Sequence, residues 1–194
     1  MGQAAFSGYT YEDYLTLEKQ SDGKYEFHDG FIVAMAGGSP EHGQIGMNFS
    51  RAIGNELEKK GKACITYSSD VKIRIEASHR TYYPDASVVC EKPEKSQRDP
   101  LAITNPVLIL EVLSESTAAF DRGAKFSHYR TLSSLREYVL ISQTEAMVDT
   151  YFRTDDGTWE IRTIIGQEEM VQLKSLDCEI RMADIYRLVP GMDE

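Results

Sequence analysis

At 194 residues, 41% apolar and 27% charged, the chain has the size and composition of one soluble domain with a well-buried core, expected over residues 1–194. Its net charge of −10 argues against nucleic-acid binding through bulk electrostatics, because phosphate contacts rest on Lys and Arg. It leaves room for a local basic cleft, for which Lys72, Arg74, Arg122, Lys125 and Arg130 are the candidates. No apolar run approaches the ~20 residues that cross a bilayer, and Met1 to Tyr14 lacks the basic-then-apolar pattern of a signal peptide. Cys64, Cys90 and Cys178 are odd in number, far apart and without a CxxC, and two of them sit inside apolar runs, which reads as inert buried thiols there. The expectation is a cytoplasmic protein with no membrane partner.

In chain order, Thr10 and Asp13 form a capping box with Asp in the usual place of Glu or Gln, opening a short helix that ends near Ser21-Asp22-Gly23. Tyr25–His28 and Phe31–Met35 flank Asp29-Gly30, a two-residue hairpin signal. After the loop Gly37-Gly38-Ser39-Pro40, apolar residues at Ile45, Phe49, Ala52, Ile53 and Leu57 have helical spacing, and Lys59-Lys60-Gly61 ends that helix. Cys64–Tyr67 reads as a strand. Val71–Ile75 alternates strictly and predicts a strand with one wet face.

Tyr82–Cys90 reads as one strand carrying Asp85, with Pro84 favouring an edge position or a strand start. Glu91–Pro106 holds three of the six prolines and predicts a mobile polar linker. Val107–Leu113 is nearly all apolar, as in a central strand covered on both faces. A helix over Phe120–Thr131 and a strand over Leu135–Ile141 follow. Met147–Arg153 and Trp159–Ile165 flank Asp155-Asp156-Gly157 as another hairpin, and Met182–Leu188 closes the chain as a helix. This order predicts an α/β (α+β) fold with a mixed sheet.

Asp85 and Glu111 are acidic residues set in apolar, strand-like runs. An unpaired carboxylate is costly to desolvate, so two of them on adjacent strands point to a shared divalent cation. Hard cations take oxygen ligands and often use one or two protein carboxylates with substrate phosphate.

Four motifs occur in order: Tyr25-Glu26-Phe27-His28-Asp29-Gly30, Tyr83-Pro84-Asp85, Leu110-Glu111-Val112-Leu113-Ser114, and Asp121 to Tyr129 with its Asp-x-x-x-Lys-x-x-x-Tyr spacing. Together they resemble the Uma-type family of restriction endonucleases, formerly a domain of unknown function, in the PD-(D/E)XK nuclease superfamily. The resemblance runs from about Tyr25 to Ile141. It implies a restriction-endonuclease-like mixed central sheet flanked by helices, with additional C-terminal strands.

It further implies that Asp85, Glu111 and Lys125 are catalytic. Asp85, Glu111 and the backbone carbonyl of Val112 would hold Mg²⁺ or Mn²⁺; Glu26 is a candidate further metal or water contact, beside the equally weighted reading of a strand-edge carboxylate at the Asp29-Gly30 turn. The superfamily's lysine belongs two residues after the acid, where this chain has Leu113; Lys125 is the candidate migrated lysine. His42 and Tyr129 are candidate substrate contacts, beside the plainer readings of a helix-cap histidine and a core tyrosine. His28, His79 and His128 have no motif support.

The implied activity is metal-dependent hydrolysis of nucleic-acid phosphodiesters, DNA first. An inactive nuclease-fold binding or regulatory protein is the alternative, which Leu113 and the net charge favour. A metal-dependent hydrolase of another substrate is the third reading. A homodimer is expected, since C₂ dimers are common and duplex cutting pairs two sites. The segment past Met147, with Trp159, is either its interface or an extension of the sheet.

Overall fold

The computed structural model describes residues 4–192. Residues 1–3 of the stretch searched for a signal peptide lie outside that range. The order is β1 (Ala4–Ser7), α1 (Tyr11–Gln20), β2 (Tyr25–His28), β3 (Phe31–Ala34), α2 (Pro40–Lys59), β4 (Ile65–Ser68), β5 (Lys72–Ile75), β6 (Arg80–Tyr82), β7 (Ala86–Val89), β8 (Ala102–Ile103) and β9 (Leu108–Leu113). Then come α3 (Ala118–Phe120), a π-helical turn over Asp121–Lys125, α4 (Phe126–Tyr129), β10 (Glu137–Ser142), β11 (Met147–Arg153), β12 (Trp159–Ile165), β13 (Met170–Leu173), β14 (Cys178–Arg181) and α5 (Met182–Ile185). One six-stranded sheet runs β1-β3-β2-β6-β5-β8 and a second runs β12-β11-β10-β9-β7-β4, with β13-β14 as a separate hairpin. The fold class is mixed α+β, and both large sheets are mixed: β9 and β10 are parallel, as are β5 and β8.

The second sheet is the middle layer. Because side chains alternate along a strand, β9 sends Leu108, Leu110 and Val112 into a core with α2, β14 and α5, and Ile109 and Leu113 into a core shared with the first sheet. The stripe Ile45, Phe49, Ile53 and Leu57 of α2 closes the first of these cores, and each such side chain contributes roughly 1.5–3 kcal/mol. Helix α1 covers the far side of the first sheet through Tyr11 and Tyr14, which pack on Phe27.

Local signals explain the termini of these elements. The Thr10 hydroxyl accepts from the Asp13 N–H at 3.2 Å and the Asp13 carboxylate accepts from the Thr10 N–H at 2.9 Å, so the shorter acid still closes the box. Asp29 (φ 50°) and Gly30 (φ 94°) both take the left-handed conformation that a tight hairpin requires. Ser39 caps α2 by accepting from the His42 N–H at 3.2 Å, which draws Pro40 into the first turn.

Several expectations are corrected. Tyr82–Cys90 is two strands: β6 belongs to the first sheet and β7 to the second, and Tyr83-Pro84-Asp85 crosses between them. β5 has no wet face. Lys72 and Arg74 are buried under α1, where Lys72 pairs with Glu18 and Asp99 and the Arg74 guanidinium lies 3.9 Å over the Tyr11 ring. Paired charges can be buried, and alternation alone does not reveal the partner. Glu91–Pro106 is tied into the fold through β8, a bridge from Lys95 to Ile103, and the buried Asp99 facing Lys72. Cys64 and Cys90 are not free thiols. They stand opposite each other, one position beyond the Ile65–Val89 pair of β4 and β7, and form a disulfide. Cys178 is the buried free thiol. No described helix is long and apolar enough to cross a membrane.

Candidate active site

The site lies between the two sheets, where β7 begins and β9 ends. Glu111 shares its face of β9 with Ile109 and Leu113, so it is buried. Lys125 Nζ stands 2.7 Å from Glu111 Oε1, and the Tyr129 hydroxyl donates to the same oxygen at 3.2 Å. Asp85 holds the start of β7 beside this strand: its Oδ2 accepts from the Val112 N–H at 2.7 Å. Its Oδ1 faces His42 Nε2 at 2.8 Å. An added Cβ at Gly46 would lie 4.0 Å from both Asp85 and Val112, ordinary van der Waals distance, so this point of α2 packs against the pair.

The π turn places both of its charged ends inward, a geometry often found where function distorts a helix. Asp121 is buried and lies 3.6 Å from Lys125. Glu26, on β2 of the other sheet, accepts from the Tyr83 N–H at 3.1 Å and meets His28 Nε2 at 2.9 Å. Three carboxylates, Glu26, Glu111 and Asp121, thus act on one buried ammonium, and Asp85 acts on Glu111 and Asp121. Burial pushes the Glu111 carboxyl well up, and Asp121 and Asp85 add to this against the pull of Lys125. Burial likewise raises Asp121. For Glu26 burial is outweighed by Lys125, His28 and the Tyr83 N–H, which hold it low. Burial disfavours the Lys125 ammonium, but Glu111, Glu26 and Asp121 overcome it and keep the group charged. The hydrogen bond with Asp85 raises His42.

The structure therefore gathers Asp85, Glu111, Lys125, Glu26, His42 and Tyr129 into one site. Tyr129 is fully buried, with its hydroxyl engaged by Glu111. Leu113 is buried in the core between the sheets. The basic cleft does not form: Lys72 and Arg74 face α1, and Arg122 pairs with Asp149 at 2.9 Å. Two partners were missed. His28 shares a strand face with Glu26 at i,i+2, and Asp121 shares a helical face with Lys125 at i,i+4; both spacings were visible in the sequence.

The donor set suits a hard cation in kind and in charge, since carboxylate oxygens outnumber the single ammonium and Glu111 is a reluctant anion. In a strand a residue's N–H and C=O leave on the same side, so the Val112 carbonyl is directed to the edge where Asp85 sits. Among the described residues no three acids or imidazoles already form a metal cage. Asp85 and Glu111 would have to exchange His42 and Lys125 contacts for the ion.

The family model described as "Uma2: Putative restriction endonuclease" matches residues 11–183. The chain belongs to the Uma2 family. Two Synechocystis relatives agree. "Uncharacterized protein slr1290" is 37% identical over 95% of this chain and 94% of its own length. "Uncharacterized protein sll1609" is 36% identical over 84% of this chain and 91% of its own. In fold, the chain is similar to a crystal structure from Anabaena variabilis described as "a putative nuclease belonging to DUF820". That likeness has a TM-score of 0.73 at 15% identity and covers 92% of this chain and 97% of that one. The Uma2 fold here is thus the restriction-endonuclease-like one, with the motif carboxylates of both sheets facing one helical lysine.

Proposed function

We propose that this Uma2 chain is a Mg²⁺- or Mn²⁺-dependent endonuclease that hydrolyses DNA phosphodiesters, working as a homodimer. The observation that carries this reading is the contact of Lys125 with Glu111. An ammonium stands at the strand acid although position 113, two residues on, is leucine. Asp85, Glu111 and the Val112 carbonyl would hold the cation, with Glu26 at its margin. When bound, a divalent cation polarises the scissile phosphate and lowers the pKa of an attacking water. Lys125 stays protonated, orients that water and offsets charge on the pentacoordinate phosphorus. Water adds to phosphorus and gives up a proton to solvent, the bond to the leaving oxygen breaks, and that oxygen takes up a proton from solvent. Among the described residues, His42 Nδ1 is buried without a hydrogen-bond partner, which supports it as a contact to a phosphate oxygen.

The second reading, a nuclease-fold binding protein without activity, draws on the same contacts. Both oxygens of Asp85 and one of Glu111 are engaged by the chain itself. A supercoiled-plasmid assay with Mg²⁺ or Mn²⁺ separates the two. The endonuclease reading expects nicking that falls by at least about a hundredfold in Glu111→Gln and Lys125→Met, in line with loss of transition-state charge stabilisation. Intact plasmid with folded wild type at every metal concentration would favour the binding protein.

A further inference from the structure

Strand β12 ends the second sheet and, among the described residues, pairs only with β11. Its outer edge therefore presents unpaired backbone groups. Edge strands of monomers are usually short, bulged or interrupted by proline. β12 is seven residues long, contains no proline, and keeps an unbroken register with β11 from Met147–Ile165 to Arg153–Trp159. Its middle, Glu160 to Thr163, is exposed, as are Ile161 (59%) and Ile165 (67%). Trp159, Ile161, Thr163 and Ile165 share one face by alternation, and Glu160 and Arg162 the other. Glu160 Oε2 meets Lys174 at 2.7 Å, while its other oxygen has no partner among the described residues. Arg162 has no hydrogen bond or ion pair among the described residues.

We infer that β12 pairs antiparallel with β12 of a second copy about a two-fold axis at Ile161, joining the two sheets edge to edge. The strand is self-complementary in that register. Ile161 falls opposite the partner's Ile161, and Glu160 falls opposite the partner's Arg162 at both ends of the pair. Trp159 falls opposite the partner's Thr163. The register one pair over sets Arg162 against the partner's Arg162, and like charges directly opposite are unfavourable. The inference rests on the proposed homodimer and names its surface. The oligomeric state is measured without DNA or metal, so its failure is distinct from a failure of the endonuclease reading.

The test is sedimentation equilibrium on wild type, Arg162→Glu, Glu160→Arg and an equal mixture of the two variants, with far-UV circular dichroism as the folding control. Wild type should be dimeric. Each variant sets like charges opposite at both ends and should weaken the dimer about tenfold or more. The mixture should recover it, because opposite charges face each other again. Independently, Ile161→Cys should cross-link to its own copy under mild oxidation, because directly opposed Cα atoms lie about 4.5–5.5 Å apart, within disulfide reach. Thr163→Cys, whose opposite residue is Trp159, should not. A monomeric wild type at about 100 μM, where a micromolar dimer would be fully formed, would overturn the inference. So would a dimer that neither substitution weakens, or equal cross-linking of the two cysteine variants.

Discussion

Replacing Lys125 with Met removes the ammonium on which Glu111, Glu26 and Asp121 act while keeping a long apolar stem. Lys125 is 7% exposed and Glu111 4%, and their charged atoms are 2.7 Å apart. Breaking a buried pair from one side costs about 3–5 kcal/mol, because the remaining charge is left in a poorly solvated place. Glu111 can escape part of that cost by taking a proton. Its carboxyl is already pushed up by burial, and without Lys125 it rises further. The folded variant then holds a proton that the unfolded chain has released. Its stability therefore falls as pH climbs from the ordinary carboxylate range through the raised value. Urea unfolding followed by circular dichroism should show the full loss near pH 8 and a smaller one near pH 5. Lys125→Met with Glu111→Gln should recover most of it by removing the stranded charge. A single variant within about 0.5 kcal/mol of wild type at pH 8, the scatter of an ordinary surface substitution, would refute the buried-pair reasoning. So would a double variant less stable than the single.

The Cys64–Cys90 bond closes a loop with a sequence separation of 26, so reduction or Cys64→Ala should cost about 3.5 kcal/mol in the loop-closure model, read from the urea midpoint. Mass spectrometry after alkylation should find one reactive thiol in unfolded, unreduced protein and three after reduction; three without reductant would contradict the bond. Asn48 donates to the carbonyls of Ile185 and Arg187 at 2.9 and 2.8 Å, so Asn48→Ala should cost about 1–3 kcal/mol and speed hydrogen exchange in α5. Gly30→Ala forces a side chain into φ 94° and should lower stability by about 1 kcal/mol in thermal melts.

Signals confined to a few neighbouring residues were legible before any coordinates. The capping box at Thr10, the Asp29-Gly30 turn, the stripe of α2 and the double-faced burial of β9 all follow from spacing within one element. What failed depended on distant partners. The wet face expected for Val71–Ile75 is covered because Glu18 and Asp99, far away in sequence, pair with Lys72. The disulfide needed the β4–β7 register to bring Cys64 opposite Cys90. The break at Pro84 was readable only as a strand start, not as a change of sheet. At the site, Asp85, Glu111 and Lys125 were nameable from the motifs. The spacings that pair His28 with Glu26 and Asp121 with Lys125 were legible too, but that both pairs act on one ammonium emerges only once β2 and the π turn come together.

Calorimetric titration of Mn²⁺ into the folded wild type and Asp85→Ala tests the central claim most directly. The account expects saturable binding, at millimolar or tighter affinity, that Asp85→Ala abolishes while the variant keeps its secondary structure. No heat of binding in the wild type, or the same isotherm in both proteins, would contradict it and leave the carboxylates as partners of Lys125 and His42 alone.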